Sequence, residues 1–228
     1  MNRGVFVTGT DTGVGKTLVA CALIHALRAR GVSARPMKPV AAGAGEHAGR
    51  WLNDDTVALL EAAGRDAGEA ALVTPVLLRE PMAPHIAAAR EGRRISLDPV
   101  RTAFARIGAD GEFIVAEGVG GFIVPLDRDL DSIDLARSLG LPVVLVVGLR
   151  LGCLNHALLS ARAIADSGLP FAGWIANMLD PNMPVADENV AALQERLAAP
   201  LLGRLPHATV PDARVLAARL DVSPLLAS

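Results

Sequence analysis

The sequence predicts an α/β fold: a single domain over residues 1–228 with a mostly parallel sheet flanked by helices. Three observations lead there. Short β-branched runs alternate with longer Ala/Leu-rich segments whose apolar positions recur at helical spacing. The short runs are apolar throughout rather than alternating, which suits strands covered on both faces. No fixed-period repeat competes with this reading, and a composition of 51% hydrophobic and 20% charged residues belongs to a chain that can bury a substantial core.

Taken in order, the run GVFVT at residues 4–8 is the first expected strand, and the Ala/Leu-rich segment 16–30 is the helix that follows it. Residues 34–40 form the second strand. The Gly- and Ala-rich stretch 41–53, with Glu46 and His47, reads as a mobile loop. Helices are expected over 54–63 and 97–107, then the strand FIVAE at 113–117 and a helix over 132–139. The most apolar strand, PVVLVVG at 142–148, precedes a helix over 154–167 and the strand FAGWIAN at 171–177. A helix over 186–197, a further candidate strand at 201–205 and a helix over 212–220 complete the pattern.

Charge and cysteine usage exclude several classes. Lys+Arg total 22 against 24 Asp+Glu, for a net charge of -2 without a basic block, so no nucleic-acid partner is expected. Cys21 and Cys153 cannot build a disulfide framework and read as small packing residues. His25, His85, His156 and His207 have no metal-ligand spacing. The start, MNRGVFVTGT, lacks the features of an export signal. The longest strongly apolar stretch, 139–149, falls well short of the ~20 residues that span a bilayer. A cytoplasmic protein without membrane partners is expected.

The segment TGTDTGVGKT at 8–17 follows an apolar strand and opens a helix, the context that a phosphate-binding loop requires. Backbone N–H groups around Gly13, Val14, Gly15 and Lys16 can form an anion nest at the positive end of the helix. Lys16 would reach the β and γ phosphates, and the Thr17 hydroxyl would bind magnesium. Five residues separate Gly9 from Gly15, one more than in the standard pattern, so Thr10 stands at the usual glycine position. The expected fold is therefore that of the P-loop NTPases.

Open α/β sheets bind ligands beyond the carboxyl ends of their strands. Lys38 lies near the end of the second expected strand, Glu117 ends the third and Asn177 the fifth. Glu117, followed by Gly118, Val119 and Gly120, is placed like a carboxylate that helps to hold magnesium; it could also cap the turn that follows it. Lys38 sits among apolar residues, where its ammonium needs an anion or a path to water. Spacing leaves open whether Asp54 or Asp55 has a role beyond the helix end.

Six segments together carry a resemblance over nearly the whole chain to about Pro206: the loop at 8–17, Lys38-Pro39-Val40-Ala41, Glu80-Pro81-Met82-Ala83-Pro84-His85, Glu117-Gly118-Val119-Gly120-Gly121, Leu151-Gly152-Cys153-Leu154-Asn155-His156-Ala157 and Gly173-Trp174-Ile175-Ala176-Asn177. In this order they resemble the dethiobiotin synthetase family. The resemblance implies an ATP-dependent ligase that converts 7,8-diaminononanoate and CO2 to dethiobiotin, ADP and phosphate by way of a carbamate and a carbamic–phosphoric anhydride. It implies ATP binding by Gly13, Val14, Gly15, Lys16, Thr17 and Leu18, with Asp55, Glu117, Gly118, Val119 and Gly120. Magnesium would lie among Thr17, Asp55 and Glu117, which favours Asp55 over Asp54, and Lys38 would be catalytic with Lys16.

By the same resemblance Asn177, Leu205, Pro206 and His207 face the adenine, while Thr12, Ala42, Gly152, Cys153, Leu154 and Asn155 join Lys38 at the diamine. A homodimer with substrate near its interface is also implied. The chain departs from the family at Gly13, where an acidic residue is common, and at Ala42, where a serine is common. It contains no Tyr, so an aromatic contact that relatives make across subunits is absent or replaced, near Asn189. The alternative is a partition-type P-loop ATPase switch, disfavoured because Asp11 stands near the place where such switches carry an additional lysine.

Overall fold

The computed structural model describes residues 3–47 and 49–227. Six strands, β1 (Gly4–Gly9), β2 (Ala34–Met37), β3 (Phe113–Glu117), β4 (Val143–Leu149), β5 (Phe171–Met178) and β6 (Leu201–Leu205), form one sheet. Their order is β6-β5-β4-β1-β3-β2, and every neighbouring pair is parallel. The chain leaves β1 toward β3 and β2 on one side and later fills the other side with β4, β5 and β6. The strand order thus reverses at β1, and a crevice opens beyond its carboxyl end.

Side chains along these strands alternate between two cores. Val5, Val7, Val115, Val144, Val146 and Ile175 pack on the face covered by helices α1 (Lys16–Ala29) and α2 (Asp54–Ala63) and by the C-terminal segment. Phe6, Ile114, Ala116, Leu145, Val147 and Trp174 pack on the opposite face, against helices that include Asp98–Ile107, Ser132–Leu139 and Cys153–Ser167. Because both faces are covered, β1, β3 and β4 are buried along their whole length. That accounts for the unbroken apolar runs in the sequence.

Three expected elements are corrected. The strand expected over 34–40 stops at Met37: Pro39 has no N–H to offer a neighbour and steers the residue before it, and Val40–Ala42 instead pairs in parallel with Val76–Leu78 in a separate two-stranded sheet. The stretch 41–53 is not a structureless mobile loop, because Gly45–His47 and Arg50–Leu52 pair antiparallel as a hairpin; Ala48 lies outside the described residues. The helix expected over 212–220 is an α-helical turn at Ala213–Leu216 followed by a 3-10 turn at Ala217–Arg219. Unforeseen elements include the short helix Pro84–Arg90 and the pair Pro125–Asp127 with Leu130–Asp131.

The edge strand β2 is held by charge as well as by packing. Arg35, buried in β2, contacts Glu69 at 2.5 Å and Glu112 at 3.2 Å, and Glu112 also accepts from Arg65 at 3.0 Å and from Ser33. Burial works to raise the Glu112 carboxyl, but Ser33, Arg35 and Arg65 outweigh it and hold the group below its ordinary range. Glu112→Gln should therefore lower stability at pH 7 by about 1–3 kcal/mol. A depressed carboxyl stabilises above its unfolded-state value and loses that contribution as pH falls through its folded one. Urea unfolding of the two proteins should accordingly differ at neutral pH and converge in acid.

Candidate active site

The loop between β1 and α1 is built to expose its backbone. Gly13 and Gly15 have φ of 74° and 88°, the left-handed region that disfavours side chains. The loop is fastened from beneath: Asn177, 5% exposed at the end of β5, donates from Nδ2 to the Val14 carbonyl at 2.9 Å. Thr10 N donates to the Val146 carbonyl at 3.0 Å, and Val14 packs over Gly148, where a Cβ would lie 2.9 Å from Val14 Cγ1. Asp11 pairs with Arg150 at 2.5 Å. Lys16 opens α1 and curls back, its Nζ donating to the Asp11 carbonyl at 2.9 Å.

Beyond the ends of β2 and β3 the side chains converge. Lys38, 3% exposed, places its ammonium 2.6 Å from Glu117 Oε1 and 2.7 Å from Asp55 Oδ2. Thr17 Oγ1 lies 2.8 Å from Asp55 Oδ1 and 2.9 Å from Glu117 Oε1. Local structure explains the placement. The break at Pro39 turns Lys38 out of the sheet, and its N–H goes to the Val73 carbonyl at 2.9 Å. Asn53 caps α2 by accepting from Asp55 N at 3.1 Å while its Nδ2 holds the Gly43 carbonyl at 3.0 Å, which aims Asp55 inward. Asp54 does not join the group; its carboxylate meets His47 at 3.1 Å.

Burial sets the electrostatics. It lowers the Lys16 ammonium to about 8, with the neighbouring Lys38 adding to the effect and Glu117, Asp55 and Asp11 partly offsetting it. The same burial opposes charge on Lys38, yet Glu117 and Asp55 together outweigh it and hold Lys38 above the ordinary lysine value. Desolvation pushes Glu117 upward. Asp55 is half-exposed and is drawn below the ordinary carboxylate range, because Lys38, Thr17 and Lys16 outweigh its own desolvation. The Cys21 thiol is pushed up to about 12, chiefly by burial, and is inert.

A cavity of about 700 Å³ opens on this group. Its lining is polar at Thr12, Gly13, Gly15, Lys16, Thr17, Lys38, Asp55 and Glu117 and apolar at Ala42, Pro81, Met82, Pro84, Val119 and Val124, with Gly120 also among the lining residues. The structure therefore brings Thr12 and Ala42 to the same cavity as the two lysines. Gly118 lies beneath, its carbonyl 3.3 Å from the Lys38 ammonium and its Cα against Phe6, where a Cβ would meet Cζ at 2.9 Å. Gly152, Cys153, Leu154 and Asn155, at the start of the helix Cys153–Ser167, do not line this cavity.

Leu18 lines a second cavity, of about 440 Å³, between α1 and the C-terminal segment, with Thr17, Cys21, Pro211 and Asp212. Leu205 is buried beside Asn177 in the sheet, whereas Pro206 and His207 are exposed in the loop that leads to Pro211. Sequence reasoning passed over Pro81, Met82, Pro84 and Val124, although the motif Glu80–His85 had marked that neighbourhood. It also passed over a compositional signal. The chain has 20 arginines and two lysines, Lys16 and Lys38, so both lysines lie in this cavity.

The three oxygen ligands expected for magnesium fit a hard cation. Glu117 Oε2 is buried without a hydrogen-bond partner, and the single Thr17 proton cannot serve both carboxylate oxygens it touches. Among the described residues no three His, Cys, Asp or Glu side chains form a metal cage. No helix of the described residues is long and apolar enough to cross a membrane. Gly15→Ala tests the loop itself: its Cβ would lie 2.3 Å from Asn177 Nδ2 at a φ of 88°. The substitution should destabilise by about 1–3 kcal/mol and abolish ATP binding, read by thermal unfolding and titration calorimetry.

Comparisons with known proteins follow the same lines. Residues 3–213 match the family described as AAA domain. The chain is 55% identical over 218 residues to the ATP-dependent dethiobiotin synthetase BioD of Aromatoleum aromaticum, covering 96% of each chain. It is 49% identical over 223 residues to BioD of Nitrosospira multiformis, covering 98% of this chain and 96% of that one. Among solved structures, the septum site-determining protein MinD of Pyrococcus horikoshii OT3, complexed with Mg-ADP, aligns with a TM-score of 0.56 at 19% identity over 91% of this chain and 82% of its own. A ParA family ATPase of Chlorobium tepidum aligns at 0.54 and 15% identity, over 99% and 90%. These two likenesses establish a shared P-loop NTPase fold. At the identities and coverage of the BioD proteins, the chain belongs to the ATP-dependent dethiobiotin synthetase family.

Proposed function

We infer that this protein is an ATP-dependent ligase that closes a ureido ring on 7,8-diaminononanoate with CO2, forming dethiobiotin, ADP and phosphate for biotin biosynthesis. One observation carries the reading: two lysines, two carboxylates and the phosphate loop share a cavity that is also lined by apolar side chains. A linear diamine with an aliphatic tail needs that combination. Its amines and the carbamate formed from one of them lie toward the charged lining, and its methylenes lie against Pro81, Met82, Val119 and Val124.

The carbamate oxygen attacks the γ-phosphorus of ATP and the bond to the β,γ-bridging oxygen breaks, releasing ADP and leaving a carbamic–phosphoric anhydride. The second amine then attacks the carbamoyl carbon, loses a proton and expels phosphate. The first encounter brings two anions together, so the barrier is electrostatic. Lys16 and the N–H groups of Gly13, Val14 and Gly15 hold the phosphates. Lys38 supplies the ammonium closest to the reacting oxygens. Thr17, Asp55 and Glu117 would hold magnesium, which when bound neutralises phosphate charge. No side chain is assigned as a general base. We assign the adenine to the second cavity, between Leu18 and the loop 205–212, with Asn177 acting chiefly as the strut of the phosphate loop.

We further propose one catalytic domain that works as a cytoplasmic homodimer. Leu151, 95% exposed, and Leu159, 63% exposed, flank the turn 152–155. Pairing of this surface with a second copy would cover them and bring that turn to the partner's cavity, which explains why it lies outside the cavity of its own chain. Ala42 offers substrate no hydroxyl, so the diamine is held there by contact alone.

The purified protein, given 7,8-diaminononanoate, bicarbonate, ATP and magnesium, should release ADP only with diamine present and yield a cyclic urea seen by mass spectrometry. Diamine-independent hydrolysis would favour the partition-type switch. Lys38→Ala should reduce kcat by at least ~100-fold with ATP affinity largely retained; near-normal turnover would remove it from the mechanism. Asp55→Ala should weaken ATP binding measured with magnesium and leave metal-free binding little changed.

A further inference from the structure

The Lys38 ammonium lies among the very oxygens assigned above to magnesium. It touches Glu117 Oε1 and Asp55 Oδ2 at 2.6 and 2.7 Å, and the Gly118 carbonyl at 3.3 Å. Thr17 closes the ring through the other Asp55 oxygen and the same Glu117 oxygen, at 2.8 and 2.9 Å. Glu117 is 1% exposed and Lys38 3%. A buried carboxylate facing a second one is strongly unfavourable unless a cation stands between them. In this structure that cation is a lysine.

We propose that Lys38 is the resident counter-ion of the metal seat: its ammonium fills the space between Asp55 and Glu117 until the metal arrives, and the metal then displaces it toward the reacting phosphate. The proposal deepens the functional reading and rests on its ligand assignment. Charge and space support exchange rather than co-occupancy. Metal–oxygen bonds are shorter than ammonium hydrogen bonds, so a cation bound to these oxygens would press on the ammonium that already touches both carboxylates. The pair of carboxylates also carries too little charge to hold a divalent ion and a lysine together.

The local structure permits the move. The Lys38 backbone is fixed by its N–H to Val73 and by Pro39, but its four-carbon stem is flexible and borders the 700 Å³ cavity. Lys16 contacts neither carboxylate, its Nζ donating to the Asp11 carbonyl instead. The device makes the catalytic lysine conditional. Without metal its charge is spent on Asp55 and Glu117, and only a loaded site frees it for phosphate and carbamate.

Because the chain contains two lysines, lysine labelled with 13C at Cε gives two resonances, and the one missing in Lys38→Met is assigned. Titrating the nucleotide-free wild-type protein with Mg2+ should move the Lys38 resonance in step with metal occupancy, followed by displacement of bound Mn2+. A Lys38 resonance that stays in place at saturating Mg2+ would overturn the exchange, even if the variant folds poorly. In parallel, electron paramagnetic resonance reads Mn2+ affinity. Lys38→Met should bind Mn2+ about ten-fold or more tightly than wild type, since no ammonium has to leave. Equal affinities in these two proteins, with Asp55→Asn weaker than both, would overturn the exchange and leave the ligand assignment standing. An Asp55→Asn protein that binds Mn2+ and Mn·ATP as wild type does would remove the metal seat and the exchange with it.

Discussion

The ion pair between Lys38 and Glu117, buried at the carboxyl end of the sheet, is the constraint around which the site is arranged. Both groups are almost wholly removed from water, so loss of Lys38 leaves the Glu117 carboxylate uncompensated in the interior, a change that typically costs about 3–5 kcal/mol. Neighbouring features make sense as provisions for it. Pro39 ends β2 one residue after Lys38, so the lysine turns across the sheet end instead of continuing along it. Gly118 lets β3 finish against the Phe6 ring, where a Cβ would approach Cζ to 2.9 Å. Asn53 anchors the start of α2 to the Gly43 carbonyl, which brings Asp55 to the exposed side of the pair. Hydrophobic packing stabilises the sheet, but it is this charged cluster that fixes where the strands must end.

Topology then decides what the cluster faces. The strand order reverses at β1, so the loops after β1, β3 and β2 diverge around one crevice, and the phosphate loop, Glu117 and Lys38 meet although 100 residues separate Lys16 from Glu117 in the chain. The same frame occurs in MinD and in a ParA family ATPase at 15–19% identity, so the frame alone does not specify a reaction. Specificity comes from side chains placed on it. Here Asp11 is tied to Arg150, and Pro81, Met82, Val119 and Val124 line the cavity that holds the lysines. In the proposed reading a nucleotide site is thereby joined to a slot for an aliphatic substrate.

Much of this was legible in the sequence because it depends on local signals. A β-branched run, a glycine-rich turn and Gly-Lys-Thr at a helix start report a phosphate loop without any knowledge of distant contacts, and the strands 113–117 and 201–205 match the structure residue for residue. The resemblance added Asp55 over Asp54, a choice that spacing left open; in the structure Asp55 meets Lys38 and Thr17, and Asp54 turns to His47. What stayed hidden depended on partners remote in sequence. The short strand Val40–Ala42 exists because Val76–Leu78 lies beside it, and three-residue strands carry too little pattern to read alone. The hairpin at 45–52 was obscured by its glycines. Asn177 was placed as a base-recognising residue, and its hydrogen bond to Val14, 163 positions away, could not be inferred from the strand that carries it. The lysine count was available from the start, but composition acquires meaning only once both lysines are found in one cavity.

The two lysines divide the electrostatic work by virtue of their surroundings. Lys38 meets two carboxylates, whose combined pull exceeds the penalty of burial, so its charge is favoured in the free protein. Lys16 is buried with only a carbonyl oxygen as its direct partner and with Lys38 nearby, and its ammonium is weakened to about 8. Its charge therefore lacks a counter-ion in the free protein. A triphosphate provides one at the position the loop geometry dictates, and the charge that is least stable before binding becomes the best satisfied after it. Lys16 is thus suited to drawing phosphate in, whereas Lys38, whose charge is already balanced, is suited to acting only when that balance is disturbed.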